Sequence, residues 1–162
     1  VPWRRLFVVA APRPSWPPRL AQILEVAVLT SLPLTLLSLV LYNVAVFVLP
    51  GGAPATLWAE PLFAVPMLSG ALFTATLGDG LVVLGIVLLF FEILKATRTG
   101  NASLADHTLS MLTFVGYLVE FLVVPAAAHS VFAILLVLAF VDVVAGFSIT
   151  IRGARRDVGW GP

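Results

Sequence analysis

The chain contains no cysteine. This excludes a disulfide scaffold, thiolate metal sites, iron–sulfur ligation and a cysteine nucleophile. Histidine is nearly missing as well: two residues leave at most one or two axial positions for haem or metal. Charge is scarce. Only 10% of the 162 residues are charged, against about 25% in an ordinary soluble domain. Nine basic and eight acidic residues cannot cover the surface of a soluble domain this long, and a formal net charge of +1 offers nucleic acid no basic face. With 60% hydrophobic residues, disorder is excluded too. An integral membrane protein remains.

A bilayer core about 30 Å thick needs about 20 apolar residues per helix. Four stretches meet this, at about 20–49, 80–97, 106–124 and 130–151. The runs are continuous, not the ten-residue alternation of barrel strands, so the expected fold class is all-α: a polytopic membrane protein with a four-transmembrane-helix bundle. The basic residues orient it. Arg4, Arg5, Arg13 and Arg19 precede the first span, Lys95 and Arg98 end the second, and Arg152, Arg155 and Arg156 follow the fourth. By the positive-inside rule all three clusters are cytoplasmic. Both termini are then cytoplasmic, and the connection 50–79 lies outside.

The flanks follow from this frame. Arg4-Arg5-Leu6-Phe7 faintly matches a twin-arginine signal, but the apolar run after it is short and ends in Pro12, Pro14, Pro17 and Pro18. The segment 1–19 is expected at the cytoplasmic interface, with Trp3, Phe7 and Trp16 among lipid headgroups. The segment 152–162 is expected as a cytoplasmic basic tail. The outer connection has several Pro and Gly residues but is too apolar for a solvated loop, with Trp58, Leu62, Phe63, Val65, Met67, Leu68, Leu72 and Phe73. A cap at the outer interface, packed on its own bundle or on a neighbour, is the expectation. The run 71–77 reads either as a short extended stretch or as an early start of the second helix. Thr99-Gly100-Asn101 suits a helix C-terminus, and Ser103 with Asp106 suits a capping box for the third helix. Pro33 is expected to kink the first helix.

Each span carries a polar or small stripe at helical spacing: Ser31, Thr35, Ser38 and Tyr42; Gly85, Glu92 and Ala96; Ser110, Thr113, Tyr117 and Glu120; Ala139, Asp142 and Gly146. Steps of three and four put each set on one face, which should turn inward while Leu, Val and Phe meet lipid. Intramembrane acids are costly and rare, so they weigh most. Two polar groups are expected. Tyr42, Asn43, Tyr117, Glu120 and His129 lie toward the outside. Glu92, Lys95 and Asp142, with His107, lie toward the inside, where Glu92 and Lys95 form an ion pair three residues apart. Of these, Asn43, Glu92, Lys95, Tyr117, Glu120, His129 and Asp142 are the candidate helix–helix or partner contacts.

No enzyme constellation stands out: the sequence has no Gly-x-Ser-x-Gly, His-Glu-x-x-His or Walker pattern. His107 and His129 fall at opposite membrane faces and cannot share one macrocycle within a subunit; a single-ligand pigment site or a quinone site is the weaker alternative to interfacial histidines, and no cofactor is expected. From Gly78 to Asp157 the chain resembles a group of small uncharacterised four-helix inner-membrane proteins of proteobacteria. The residues that carry the likeness are Gly78-Asp79, the run from Phe91 to Arg98, Asp106-His107, Glu120-Phe121-Leu122, Asp142-Val143, Ala145-Gly146-Phe147 and Arg155-Arg156-Asp157. The resemblance implies four-helix topology and a bacterial inner-membrane location, and no activity. The expected function is a non-enzymatic accessory or scaffold subunit of a larger membrane complex, in contact with lipids and with other integral membrane subunits or its own copies. A small oligomeric transporter or proton conductor using the intramembrane carboxylates is the alternative.

Overall fold

The computed structural model describes residues 32–48, 54–97 and 102–157. The interfacial segment 1–19, the early part of the first span, Ser31, the Thr99-Gly100-Asn101 helix end and residues 158–162 lie outside the described residues, as do the side chains of Arg152, Arg155 and Arg156.

Four long or medium helices dominate. Helix α1 spans Leu34–Asn43 and continues as a wider π-helical stretch, Val44–Val48. A short helix α2 (Pro54–Ala59) leads into an antiparallel hairpin of β1 (Pro61–Pro66) and β2 (Leu72–Thr76). Helices α3 (Leu77–Ala96), α4 (Ala102–Val123) and α5 (Ser130–Asp157) follow, the last two joined by a 3-10 turn at Pro125–Ala127. Two of these are long and apolar enough to cross a membrane, Leu77–Ala96 and Ser130–Ile149, each of 20 residues.

Side-chain contacts give the helix directions. Gly78 faces Val131, and Gly85 faces Leu135 and Leu138, so α3 and α5 run parallel. The ring of His107 meets that of Phe147, Phe114 meets Phe140 and Tyr117 meets Phe132, each pair tilted, so α4 runs antiparallel to α5. Ser38 meets Tyr117 and Asn43 meets Glu120, so α1 runs parallel to α4. The four helices therefore alternate in direction along the chain.

Several boundaries differ from the sequence expectation. The chain is mostly helical as expected, but the connection before α3 adds a two-stranded sheet, and among the described residues two helices rather than four have the length and apolarity of a span. Pro61 and Pro66 forbid a helix there, while Leu62 to Val65 and Leu72 to Thr76 are rich in residues that suit strands. The turn closes through the Gly70 N–H on the Met67 carbonyl (2.9 Å), with Gly70 at φ +83°, a left-handed conformation open to glycine. Leu62 is the extra residue of a bulge between the pairs Pro61–Thr76 and Phe63–Ala75.

Helix α3 starts at Leu77 rather than near Gly80. Thr76 is its N-cap: the hydroxyl accepts from the Asp79 N–H (3.2 Å), and the Asp79 carboxylate accepts from the Thr76 N–H (2.9 Å). The capping box thus lies at Thr76 and Asp79. Ser103 is inside α4, which already begins at Ala102. Pro33 opens α1 instead of kinking it, since its extended backbone (ψ 131°) and missing N–H suit the position before a first turn. Helix α5 runs through the expected start of the tail to Asp157: no proline interrupts 152–157, and the good helix formers Ala154, Arg155 and Arg156 follow Gly153.

The core cluster is Tyr42, Trp58, Leu81, Tyr117, Ala127, Val131, Phe132, Leu135 and Ala139. Trp58 brings α2 onto the bundle by stacking on Tyr42 (ring centroids 4.9 Å), which also meets Phe132 edge-on (4.7 Å). At the other end α4 and α5 approach so closely that a Cβ on Gly146 would stand 2.6 Å from Nδ1 of His107. Alanine normally gains about 1 kcal/mol over glycine inside a helix. At Gly146 the sign should reverse: Gly146→Ala is expected to destabilise by about 1–3 kcal/mol through overpacking against a ring. Gly85→Ala should be milder, because it meets only the tips of Leu135 and Leu138. Thermal unfolding of the two variants in one mild detergent checks the order, and a more stable Gly146→Ala would refute the contact.

Candidate functional site: a buried polar seam

The site begins at the first turn of α1. A helix start leaves unpaired N–H groups, and a buried one must find a partner. The Leu34 N–H donates to Glu92 Oε2 on α3 at 2.8 Å. The other oxygen of Glu92 accepts from Lys95 Nζ at 3.0 Å, and Lys95 also donates to the Leu32 carbonyl at 3.1 Å. Asp106 on α4 stands 3.9 Å from the same ammonium. Lys95, partly exposed, thereby links α3, α4 and the entry to α1, while Glu92 is buried.

One residue further along α1, the Thr35 hydroxyl donates to Asp142 Oδ2 on α5 at 3.1 Å, with the buried Ser110 hydroxyl beside that carboxylate. The Thr35 carbonyl accepts from the Ser38 hydroxyl (2.7 Å) and from the Tyr117 hydroxyl (3.3 Å), and Ser38 and Tyr117 hydrogen-bond each other at 2.8 Å. The Tyr42 hydroxyl donates to the Ala126 carbonyl at 2.8 Å and fastens the turn between α4 and α5. Farthest along, the Asn43 amide donates to Glu120 Oε2 at 3.0 Å and to the Leu39 carbonyl of its own helix at 3.0 Å. Oε1 of Glu120 is buried with no hydrogen-bond partner among the described residues.

The structure therefore brings Glu92 and Lys95 together, and Asn43 and Glu120. It places Tyr117 with Ser38 and Thr35, one step away from Asp142 instead of beside Glu120. His129 is not in the outer group: it precedes α5, and its Nδ1 accepts from the Val131 N–H at 3.3 Å, as an N-cap side chain does. His107 is buried against Gly146 and Phe147 on α5. Three contributions were not singled out from the sequence. The Leu34 N–H has no side-chain signature. Trp58 looked like one more apolar residue of a loop, although a tryptophan just past a proline-led helical turn is a fair sign of docking. Thr35 and Ser38 were visible only as members of a stripe.

The donors and acceptors of this seam mostly satisfy one another across helices. No His, Cys, Asp and Glu group among the described residues has the arrangement to hold a metal ion. Compared with known protein families, curated proteins and solved structures, the chain matches none.

Interhelical hydrogen bonds inside membrane proteins average about 0.6 kcal/mol in double-mutant cycles and reach about 1.7. A cycle of Ser38→Ala with Tyr117→Phe, and one of Thr35→Val with Asp142→Asn, should each give a coupling in that range. Thr35→Val keeps the carbonyl on which Ser38 and Tyr117 converge, so the two cycles should be close to independent. Unfolding equilibria in detergent measure both, and couplings indistinguishable from zero would remove these bonds as glue.

Proposed function

We infer that this chain is a four-span membrane protein of the bacterial inner membrane, and that it serves as a non-enzymatic accessory subunit holding other integral membrane subunits in a larger assembly. One observation carries the reading: the polarity is inside out. Thr35, Ser38, Glu92, His107, Ser110, Thr113 and Asp142 are buried, while Leu37, Val83, Phe90, Phe91, Leu112, Val137 and Phe140 are among many large apolar side chains exposed on the helices. Water would reject that exterior, whereas lipid and apolar partner helices accept it. Helices α3 and α5 have the length for a full crossing. Helix α4 is long enough but more polar, and its polar residues turn toward α1 and α5. Helix α1 with its π-helical extension, Leu34–Val48, is shorter and is matched to its neighbours by the seam.

The accessory role is supported by the use the seam makes of its polar groups. Carboxylates that a transport pathway would leave exchangeable are engaged across helices: Glu92 holds Leu34 and Lys95, Asp142 holds Thr35, and Glu120 holds Asn43 through one of its two oxygens. The exposed aromatic residues Phe90 and Phe91, and Phe140 and Phe147, give the helix exterior surfaces for neighbouring spans.

Extraction in a mild detergent, followed by native-gel migration and mass spectrometry of the band, is expected to find the chain in a particle with other membrane proteins. Migration as a lone monomer would overturn the accessory role. Release from membranes by alkaline carbonate would overturn membrane insertion itself. Proton or ion flux through proteoliposomes separates the conductor reading: Glu120→Gln and Asp142→Asn should leave it unchanged, and a loss in either variant would assign transport.

A further inference from the structure

The hairpin of β1 and β2 is the most exposed apolar part of the described chain. Every residue from Pro61 to Thr74 is exposed. Phe63 and Val65 lie on one face with Phe73, the cross-strand partner of Val65, and Phe63 and Phe73 approach each other with centroids 6.4 Å apart. Ala64, Pro66, Leu72 and Thr74 form the other face by strand alternation. Met67 and Leu68 form the tip, and Leu68 is fully exposed.

Both faces are thus apolar. A protein partner laid on a two-stranded ribbon covers one face and leaves the other in water. A medium that surrounds the ribbon satisfies both at once. No charged residue occurs from 61 to 78, and the acids Glu60 and Asp79 stand at the base of the hairpin, one before β1 and one in the first turn of α3. An uncharged ribbon between two charged markers matches an apolar layer bordered by polar headgroups. The hairpin is also continuous with the apolar exterior of α3. Strand β2 passes into α3 without a linker, and Leu62 lies so close over Gly80 that a Cβ there would stand 3.0 Å from its Cδ1.

We propose that the hairpin Pro61–Thr76 is an interfacial lipid-inserted element, with the side chains of both faces among lipid and its strand edges at headgroup depth, beside the start of α3. This rests on the membrane-embedded reading above. At that depth water and headgroups meet the open N–H and C=O groups of the two strand edges, and Pro61 and Pro66 remove two donors from β1.

The absence of native cysteine allows single-cysteine labelling without a background. Phe63→Cys and Leu72→Cys report the two faces, Leu68→Cys the tip, and Val137→Cys the exposed exterior of α5. Each variant of the full chain is labelled with the polarity-sensitive fluorophore NBD and reconstituted in phosphatidylcholine vesicles, with and without nitroxide-labelled lipid. The expected result is blue-shifted emission at all four sites, with loss of most of the emission when nitroxide lipid is present. Quenching at Val137 without quenching at Phe63, Leu72 and Leu68 would overturn the hairpin proposal and leave the membrane reading standing. Emission that is blue-shifted but unquenched at the hairpin would mean that protein covers it, and would also overturn the proposal. Quenching on only one of its two faces would do the same. No quenching at any site would overturn both readings.

Discussion

A helix that begins inside a packed bundle exposes backbone N–H groups where water is scarce, and the arrangement of this protein turns on how that is met. Helix α1 starts just after Pro33, and the carboxylate of Glu92 takes the Leu34 N–H. The same carboxylate holds Lys95, which returns to the Leu32 carbonyl. A single buried acid therefore sets where α1 enters relative to α3. From there each step along α1 has a partner on another helix: Asp142 for Thr35, Tyr117 for Ser38, Glu120 for Asn43. A hydrogen bond tolerates only a few tenths of an ångström of misplacement. Four such levels along one helix select one register among the many that apolar packing alone would accept.

Outside the seam the bundle is built from large, interchangeable apolar residues, and close approach is confined to a few places. Gly78 lies under Trp58 and Val131, Gly85 under Leu135, and Gly146 under the His107 ring. These contacts let α5 press against α3 and α4 at both of its ends. Among the described residues, Trp58 is the core side chain that α2 supplies, and it closes the bundle over Tyr42 and Phe132. The polar seam supplies specificity and the apolar contacts supply area, which is the reverse of the usual division between the inside and outside of a soluble domain.

Much of this was legible in residue spacing. Steps of three and four made Thr35, Ser38 and Tyr42 one face and Ser110, Thr113 and Tyr117 another, and all six are buried. Glu92 and Lys95, three apart on one helix, are within reach of each other in any helix, so their ion pair needed no tertiary information. The turn at Pro125–Ala127 is short enough to make α4 and α5 antiparallel neighbours. What spacing could not tell is which stripe meets which. Tyr117 and Glu120 lie on one helix face, yet one pairs with Ser38 and the other with Asn43, because the depth of α1 beside α4 decides the match. His129 looked like part of a polar group from its position at the outer boundary, but its ring is taken by the first turn of α5, a local demand that came first. The hairpin was hidden for a different reason. An apolar run with proline at both ends satisfies the composition of an interfacial loop and of a strand equally, and the choice is made by pairing with a second segment.

The sequence by itself determined that the chain is mostly helical and which helix faces turn inward, since these depend on composition and on a period of 3.6 that each helix carries alone. Tertiary structure decided where α1 begins, which polar groups meet, that the segment Pro61–Thr76 is a β-ribbon, and which side chains remain bare. Those outcomes depend on contacts between residues far apart in the chain, such as Leu34 with Glu92 and Thr35 with Asp142, and no local pattern encodes a distance of that kind.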